Sequence, residues 1–456
     1  MTDENHFDVV ICGAGIAGIS AAYTLAEKGI SNSILLVDER EPLSLTSDKS
    51  SECFRNWWPD PAMVRLMNHS IDLLEELAEK NGNCFHLNRR GYLFVSCDTN
   101  RTAHFLQEAR SISQAGGGPL RVWEGKIQSG MYQPAHPEAY QDQPVGADLF
   151  IHVPSIRENF PYLSEKAALV LHARRAGWFS AHQMGMFLLG QARKKGINLL
   201  RGRIERITLR GGRVKSVHLA DGRRIGTNIF INAAGPHLKQ VGKLLGVDLP
   251  VFCEFHQKAA FRDTLGVLPR RAPLIINLDR QVLPWSQEER QALMEDKTTQ
   301  YLVQELPGGA HTRPEGGELS QILLLLWDFH TQVVEPEFPP IYDPFFPELA
   351  LRGLVHILPG LERYVHHLSR PIVDGGFYTR TVDNRPLIGK LPVEGAFISG
   401  AYSGYGLMAA LGAAELLINQ ITGPSDNDYA QSFVIERFAD PLYLARLNNW
   451  GETGQL

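Results

Sequence analysis

Cysteine is scarce in this chain: there are five (Cys12, Cys53, Cys84, Cys97 and Cys253), an odd number, widely spaced and without a CxxC pair. That pattern gives neither a disulfide framework nor a zinc signature, so no metal ligands are indicated and a reducing compartment is expected. Long apolar runs are missing too. No stretch reaches the roughly 18 residues that a membrane-spanning helix needs, so no integral membrane segment is expected. The start, MTDENHFDVVICGAGIAG, opens on acids and enters a strand at once; it is read as leaving no room for a signal peptide, and the expected location is cytoplasmic. Charge of one sign is nowhere concentrated. With 45 basic and 50 acidic residues the net charge is −5, which points away from nucleic acid and toward small-molecule partners. Internal repeats and low-complexity tracts are absent as well.

What is present is core material in quantity. At 456 residues the chain is too long for one ordinary core, so two domains, or one with a second folded into it, are expected. Residues 7–12, FDVVIC, form a β-branched run of the buried parallel type; residues 16–28 carry helical spacing that stops at Gly29; residues 34–38, ILLVD, are the next strand. This is a βαβ unit ending on an acid. Residues 62–80 read as an amphipathic helix, 91–96 as a strand, 113–150 as irregular chain, and 181–195 as a helix running into the strand INLL. The turn signals RGGR and ADGR predict successive hairpins over 203–235. QILLLLW (321–327) is a buried strand, and AFISG (396–400) is followed by a glycine turn and a long apolar helix. The fold class is α/β, with mainly antiparallel material between about 246 and 371.

Three motifs carry chemistry. Gly13, Gly15 and Gly18 of GAGIAG lie between strand and helix, with Asp38 twenty residues beyond the third glycine. Missing side chains let backbone approach a pyrophosphate, the helix start supplies N–H donors and positive potential, and the acid accepts from a ribose hydroxyl. This indicates a dinucleotide site without choosing between FAD and NAD; the bland alternative is a structural glycine turn. FINAAGPHL (230–238) ends a strand in small residues, Ala234 and Gly235, permitting a second segment to pass beside the same dinucleotide. Near the C-terminus, SGYG brings Gly404 and Gly406 to a helix start, where N–H groups and the dipole can stabilise charge on a reduced flavin.

In order and spacing over nearly the whole chain, GAGIAG with VDER, INAAGP, and TVDNRPLIG followed by SGYG resemble the D-amino-acid oxidase family of FAD-dependent oxidoreductases, which includes glycine oxidase, sarcosine oxidase and dimethylglycine dehydrogenase. The resemblance implies a Rossmann-like FAD-binding domain with an interleaved antiparallel-sheet substrate domain, and oxidation of an amine's C–N bond by hydride-type transfer to FAD. It places the FAD-binding domain at 1–90, 165–245 and 372–456 and the substrate-binding domain at 91–164 and 246–371. Where relatives attach FAD covalently through a histidine after the first unit, this chain reads TSDKSSECF, and no C-terminal cysteine follows Cys253. Non-covalent FAD is therefore expected.

At the substrate end the likeness runs to the family's monomeric sarcosine oxidases. It implies that Arg55 in CFRNW and Arg380 in YTRTVD together hold a substrate carboxylate by bidentate contacts. The alternative is that each is a structural arginine paired with an acid such as Glu52 or Asp383. Trp57 and Trp58 are read as core or pocket walls and Cys53 as a small packing residue. A lysine that assists reaction with dioxygen in those oxidases is replaced here by Leu326, whereas His330 matches a histidine of the same strand, either a catalytic group or a packing residue. The expected activity is FAD-dependent oxidation of a secondary or N-alkylated amino acid, or an amino acid, to an imine, with electrons passed to dioxygen. The alternatives are a dehydrogenase serving a quinone or electron-transfer protein, and a flavin-containing assembly factor with little turnover.

Overall fold

A strand that is apolar at consecutive positions needs cover on both faces, and FDVVIC receives it. In the computed structural model, which describes residues 6–31, 33–126, 131–329, 331–423 and 427–447, the strand His6–Cys12 runs parallel to Ile34–Asp38 on one side and Arg224–Asn232 on the other. Asn198–Arg201 extends this sheet beyond Ile34–Asp38, and Ala396–Gly400 joins it along the end of Arg224–Asn232. Helices Ile16–Glu27, Pro61–Lys80, Ala181–Lys194 and Gly406–Thr422 pack together over one face. The strands Ile204–Arg210 and Arg213–Leu219 continue the sheet antiparallel, and the turn glycines Gly211, Gly212 and Gly222 all take positive φ.

The second sheet has ten strands and is mostly antiparallel. Its longest strand, Phe252–Arg262, lies near one edge and pairs with Ile372–Arg380 on one side and Ile322–Leu326 on the other. Beyond the latter come His311–Glu315, Leu274–Asn277, Tyr92–Ser96, Leu169–Ala173, Ala147–Phe150 and Leu120–Trp123. Alternation along the strands sorts the two faces. Leu93 and Val95 join the core beneath helix Phe346–Val355, while Tyr92 and Phe94 join the opposite cluster with Trp57 and Trp178. A short ribbon, Cys53–Arg55 against Ala176–Trp178, lies on that opposite side.

The structure corrects some expectations. The segment 113–150 contains two strands, Leu120–Trp123 and Ala147–Phe150, paired parallel at the sheet edge; each is four residues long, too short for alternation to show. The division at 165 and 372 does not follow the sheets, because Leu169–Ala173 and Ile372–Arg380 are strands of the second one. A strand's own residues encode its tendency to extend, whereas its neighbour is chosen by tertiary packing. His330 lies outside the described residues. Among the described residues, no helix is long and apolar enough to cross a membrane.

Candidate active site

Segments remote in sequence line one cleft. Gly13, Gly15, Asp38, Ala234, Gly235, Gly404 and Gly406 are all in its wall. Gly13 has φ of +109°, and a Cβ there would fall 2.3 Å from the Ala233 carbonyl oxygen. The Ala233 N–H in turn donates to the Cys12 carbonyl at 2.9 Å, so the two small-residue segments close on each other. Gly18 is not in the wall. A Cβ on it would sit 1.9 Å from the Gly13 oxygen, so its glycine lets the helix seat on the turn. Helix Ile16–Glu27 starts with no side-chain cap and no acid in its first turn, as an anion site at a helix start requires. The Ile16 N–H donates to Ser47 Oγ at 3.0 Å. Asp38 accepts from the Ala14 N–H at 2.7 Å and the Arg40 N–H at 2.9 Å, which fixes its carboxylate across the glycine turn.

On the other wall, Ala401 and Ser403 hold φ of 56° and 49°, a left-handed conformation uncommon for residues with side chains and concentrated at functional sites. The Ser403 N–H donates to the Thr379 carbonyl at 2.8 Å, tying this turn to strand Ile372–Arg380. A Cβ on Gly404 would lie 2.5 Å from the Tyr378 ring. These features fit FAD: bare backbone and a helix start for a pyrophosphate, a second small-residue segment beside it, and an uncapped helix start at Gly406.

Arg55 is buried, its guanidinium 4.5 Å from the Trp58 ring centroid, 5.5 Å from Phe94 and 5.7 Å from Tyr92. The Trp58 indole N–H donates to the Arg55 carbonyl at 3.0 Å, holding ring and cation in one turn. Burial lowers the Arg55 pKa to about 10, against the pull of Tyr92 and Cys53. Trp58 meets Tyr405 edge-on at 5.3 Å, and Tyr405 packs in turn on Tyr402, a cleft residue. A chain of ring contacts thus leads from Arg55 to the cleft, while neither Arg55 nor Arg380 is itself among the cleft-lining residues.

Arg380 Nη1 donates to Glu254 Oε2 at 2.6 Å; Glu254 meets His256 Nε2 at 3.1 Å; and His256 Nδ1 reaches Asp328 Oδ1 at 2.6 Å. His256 also stacks on Tyr378 at 4.0 Å. Burial disfavours the imidazolium, yet the flanking Asp328 and Glu254 carboxylates outweigh it and raise the pKa to about 9. Burial likewise pushes Glu254 and Asp328 up, but their cationic neighbours hold both below the usual carboxylate range. His311 connects the two arginines' surroundings: burial lowers its pKa, the Asp328 charge opposes that, and Arg55 reinforces it. Leu326 stands opposite Lys258, whose Nζ donates to the Ser50 carbonyl at 2.8 Å, and Ser50 lines the cleft.

Sequence reasoning missed Glu254, His256, Lys258, His311, Asp328 and Tyr378. A signal was present in FCEFHQKAAF: Glu254, His256 and Lys258 alternate along a stretch whose other residues, Gln257 apart, are apolar, which places three ionisable groups on one face of the sheet.

Residues 8–420 match the description "FAD dependent oxidoreductase". The chain belongs to this DAO family. Human mitochondrial dimethylglycine dehydrogenase is 24% identical over 296 residues, which are 64% of this chain and 30% of that protein's length. Among solved structures, L-proline dehydrogenase from P. horikoshii superposes with a TM-score of 0.73 at 18% identity, covering 96% of this chain and 98% of that one. Iminodiacetate oxidase from Chelativorans sp. BNC1 gives 0.69 at 19% identity, with 94% and 98% covered. These two likenesses are of fold. As a DAO-family member the chain is an FAD-dependent oxidoreductase.

Proposed function

We propose that this protein oxidises the C–N bond of a carboxylate-bearing amine, a secondary or N-alkylated amino acid, to an imine, with FAD bound non-covalently and Arg55 holding the carboxylate. Bound FAD supplies the two-electron acceptor for the amine's hydride equivalent. The observation that carries this reading is Arg55 itself, a buried guanidinium in an aromatic cage at the end of a chain of ring contacts that leads to the cleft. A planar fork grips a carboxylate through two parallel hydrogen bonds, and the cage excludes water that would screen the pair.

Arg380 acts as a second arm, with Glu254 engaging one of its terminal nitrogens. Its Nε is buried and has no hydrogen-bond partner among the described residues, so donor capacity remains. With His256 protonated, Arg380, Glu254, His256 and Asp328 alternate in sign and sum to zero. Arg55 lies outside that chain of charges and is the group proposed to meet the anion, while the amine enters neutral with its lone pair free. The substrates named for the relatives, dimethylglycine, proline and iminodiacetate, all carry a carboxylate one carbon from nitrogen, which supports the same class.

Dioxygen is the proposed acceptor, supported by Lys258, a cation one hydrogen bond from the cleft wall on the strand beside Leu326. The test is anaerobic mixing with a panel of amines while flavin absorbance is followed. N-alkyl amino acids should bleach the flavin, amines lacking a carboxylate should not, and air should restore the colour within the turnover time. Bleaching by NADH and by no amine would defeat the reading; slow recovery in air with fast recovery on a quinone would move the acceptor from dioxygen to a quinone.

A further inference from the structure

A cluster of mixed metal-binding groups lies at another end of the second sheet and takes no part in that chemistry. Cys97 and Asp279 follow the adjacent parallel strands Tyr92–Ser96 and Leu274–Asn277, and His356 caps the C-terminus of helix Phe346–Val355. One thiol, one carboxylate oxygen and one imidazole nitrogen lie within 4.8 Å of one another. His356 Nε2 is 3.5 Å from Asp279 Oδ2. Ligand atoms around a tetrahedral zinc ion, at bonds of about 2.0–2.3 Å, stand about 3.3–3.8 Å apart, so the three need only close slightly to share an ion.

The carboxylate is oriented as metal-binding carboxylates are, by hydrogen bonds behind it. Ser96 Oγ donates to Oδ1 at 2.5 Å, and the Cys97 N–H donates to Oδ2 at 2.6 Å. Asp279 is buried, while Cys97 and His356 are partly exposed and give an ion a path in. Arg101 sits 3.6 Å from the other carboxylate oxygen, and the same nitrogen donates to the Leu278 carbonyl at 2.5 Å. The oxygen that faces His356, Oδ2, also accepts the Cys97 N–H, and its second lone pair can take an ion.

We propose that Cys97, Asp279 and His356 bind zinc or a divalent ion of similar softness through three protein ligands, with a water in the fourth position. The ion replaces two protons, that of the Cys97 thiol and that of the His356 imidazolium, both of which leave to solvent, and binds thiolate, carboxylate and neutral imidazole; no electron changes hands. Its role is structural, since it ties the ends of two strands to the end of a helix.

The flavin-loaded protein, stripped with a chelator and titrated with Co(II), tests this. One ion per chain is expected, with a thiolate-to-cobalt charge-transfer band and the visible bands of tetrahedral cobalt. Both should vanish in Cys97→Ala and His356→Ala, and zinc should raise the thermal midpoint of the wild type but of neither variant. No thiolate band in the wild type, meaning a plain His356–Asp279 ion pair, overturns the site, and so does a band that survives in Cys97→Ala. The cobalt spectrum of the wild type decides even if a variant fails to fold. The flavin's reduction by amines is read separately, so failure of this site leaves the proposed oxidation standing.

Discussion

Arg55 is a cation where burial disfavours charge, so its replacement tests the proposed hold on a substrate carboxylate. Arg55→Met should raise KM for carboxylate substrates by roughly 30- to 1,000-fold, the loss of a charge-assisted contact of about 2–4 kcal/mol. Arg55→Lys should recover part of this, because a point charge replaces a fork. Amines without a carboxylate should respond equally slowly to both proteins, and anaerobic flavin reduction measured against substrate concentration checks all three. At Gly404 the argument is steric. An added methyl would press on Tyr378, which cannot swing aside because it is stacked on His256, so Gly404→Ala should cost about 1–3 kcal/mol and weaken FAD retention, read from flavin content and thermal midpoint. Arg55 was legible in the sequence as an isolated cation among tryptophans. Its companions were not: the acids suggested for the two arginines, Glu52 and Asp383, engage Arg313 and Arg437 instead, while Arg380 finds Glu254, 126 positions away. Cross-strand neighbours leave no local mark.

Among the elements, strand Phe252–Arg262 concentrates the titratable chemistry. The His256 pKa is raised to about 9 from an ordinary 6.5, so its ion pairs stabilise the fold fully below about pH 6.5. That contribution fades as pH rises from there through 9. The thermal midpoint of the wild type should therefore fall between pH 7 and 9.5 more than that of His256→Gln, and equal slopes would refute it. Helix Pro61–Lys80 supplies a second case. Asp60 caps its start by accepting from the Ala62 N–H at 2.9 Å, and takes two further bonds from Arg385 at 2.5 and 3.0 Å. Asp60→Ala removes a cap and the carboxylate paired with Arg385, which keeps its contact with the Tyr443 hydroxyl, a loss of about 2–4 kcal/mol. Arg385→Ala should cost less, since the cap survives, and a double-mutant cycle by denaturant unfolding gives the coupling. This helix was readable from its periodicity, and the hairpins of 203–235 from their glycine turns, because local chemistry decides both. The strands Leu120–Trp123 and Ala147–Phe150 were not, because only their mutual pairing identifies them.

For the whole molecule, the cleft is built where the two sheets meet: GAGIAG, INAAGP and SGYG come from the first, Phe377 to Thr379 from the second. A ligand that fills such a cleft binds the folded chain and not the unfolded one, so stability must rise with its concentration. Apoprotein prepared by mild acid release should gain about 2.7 kcal/mol when FAD reaches 100 times its Kd, seen as a rise of a few degrees in the thermal midpoint. The dinucleotide also divides the prediction. ADP contains the pyrophosphate and ribose proposed to meet Gly13, Gly15 and Asp38, so it should give part of the rise, and a Gly13→Ala protein should lose that part because a Cβ there meets Ala233 backbone at 2.3 Å. Riboflavin tests the other half, against Tyr378 and the turn before Gly406, and should remain able to act on the Gly13→Ala protein. If ADP gives no shift while FAD gives the full one, the first βαβ unit is a structural turn and the affinity resides in the flavin half alone. If neither shifts the midpoint, the cleft is not the FAD site.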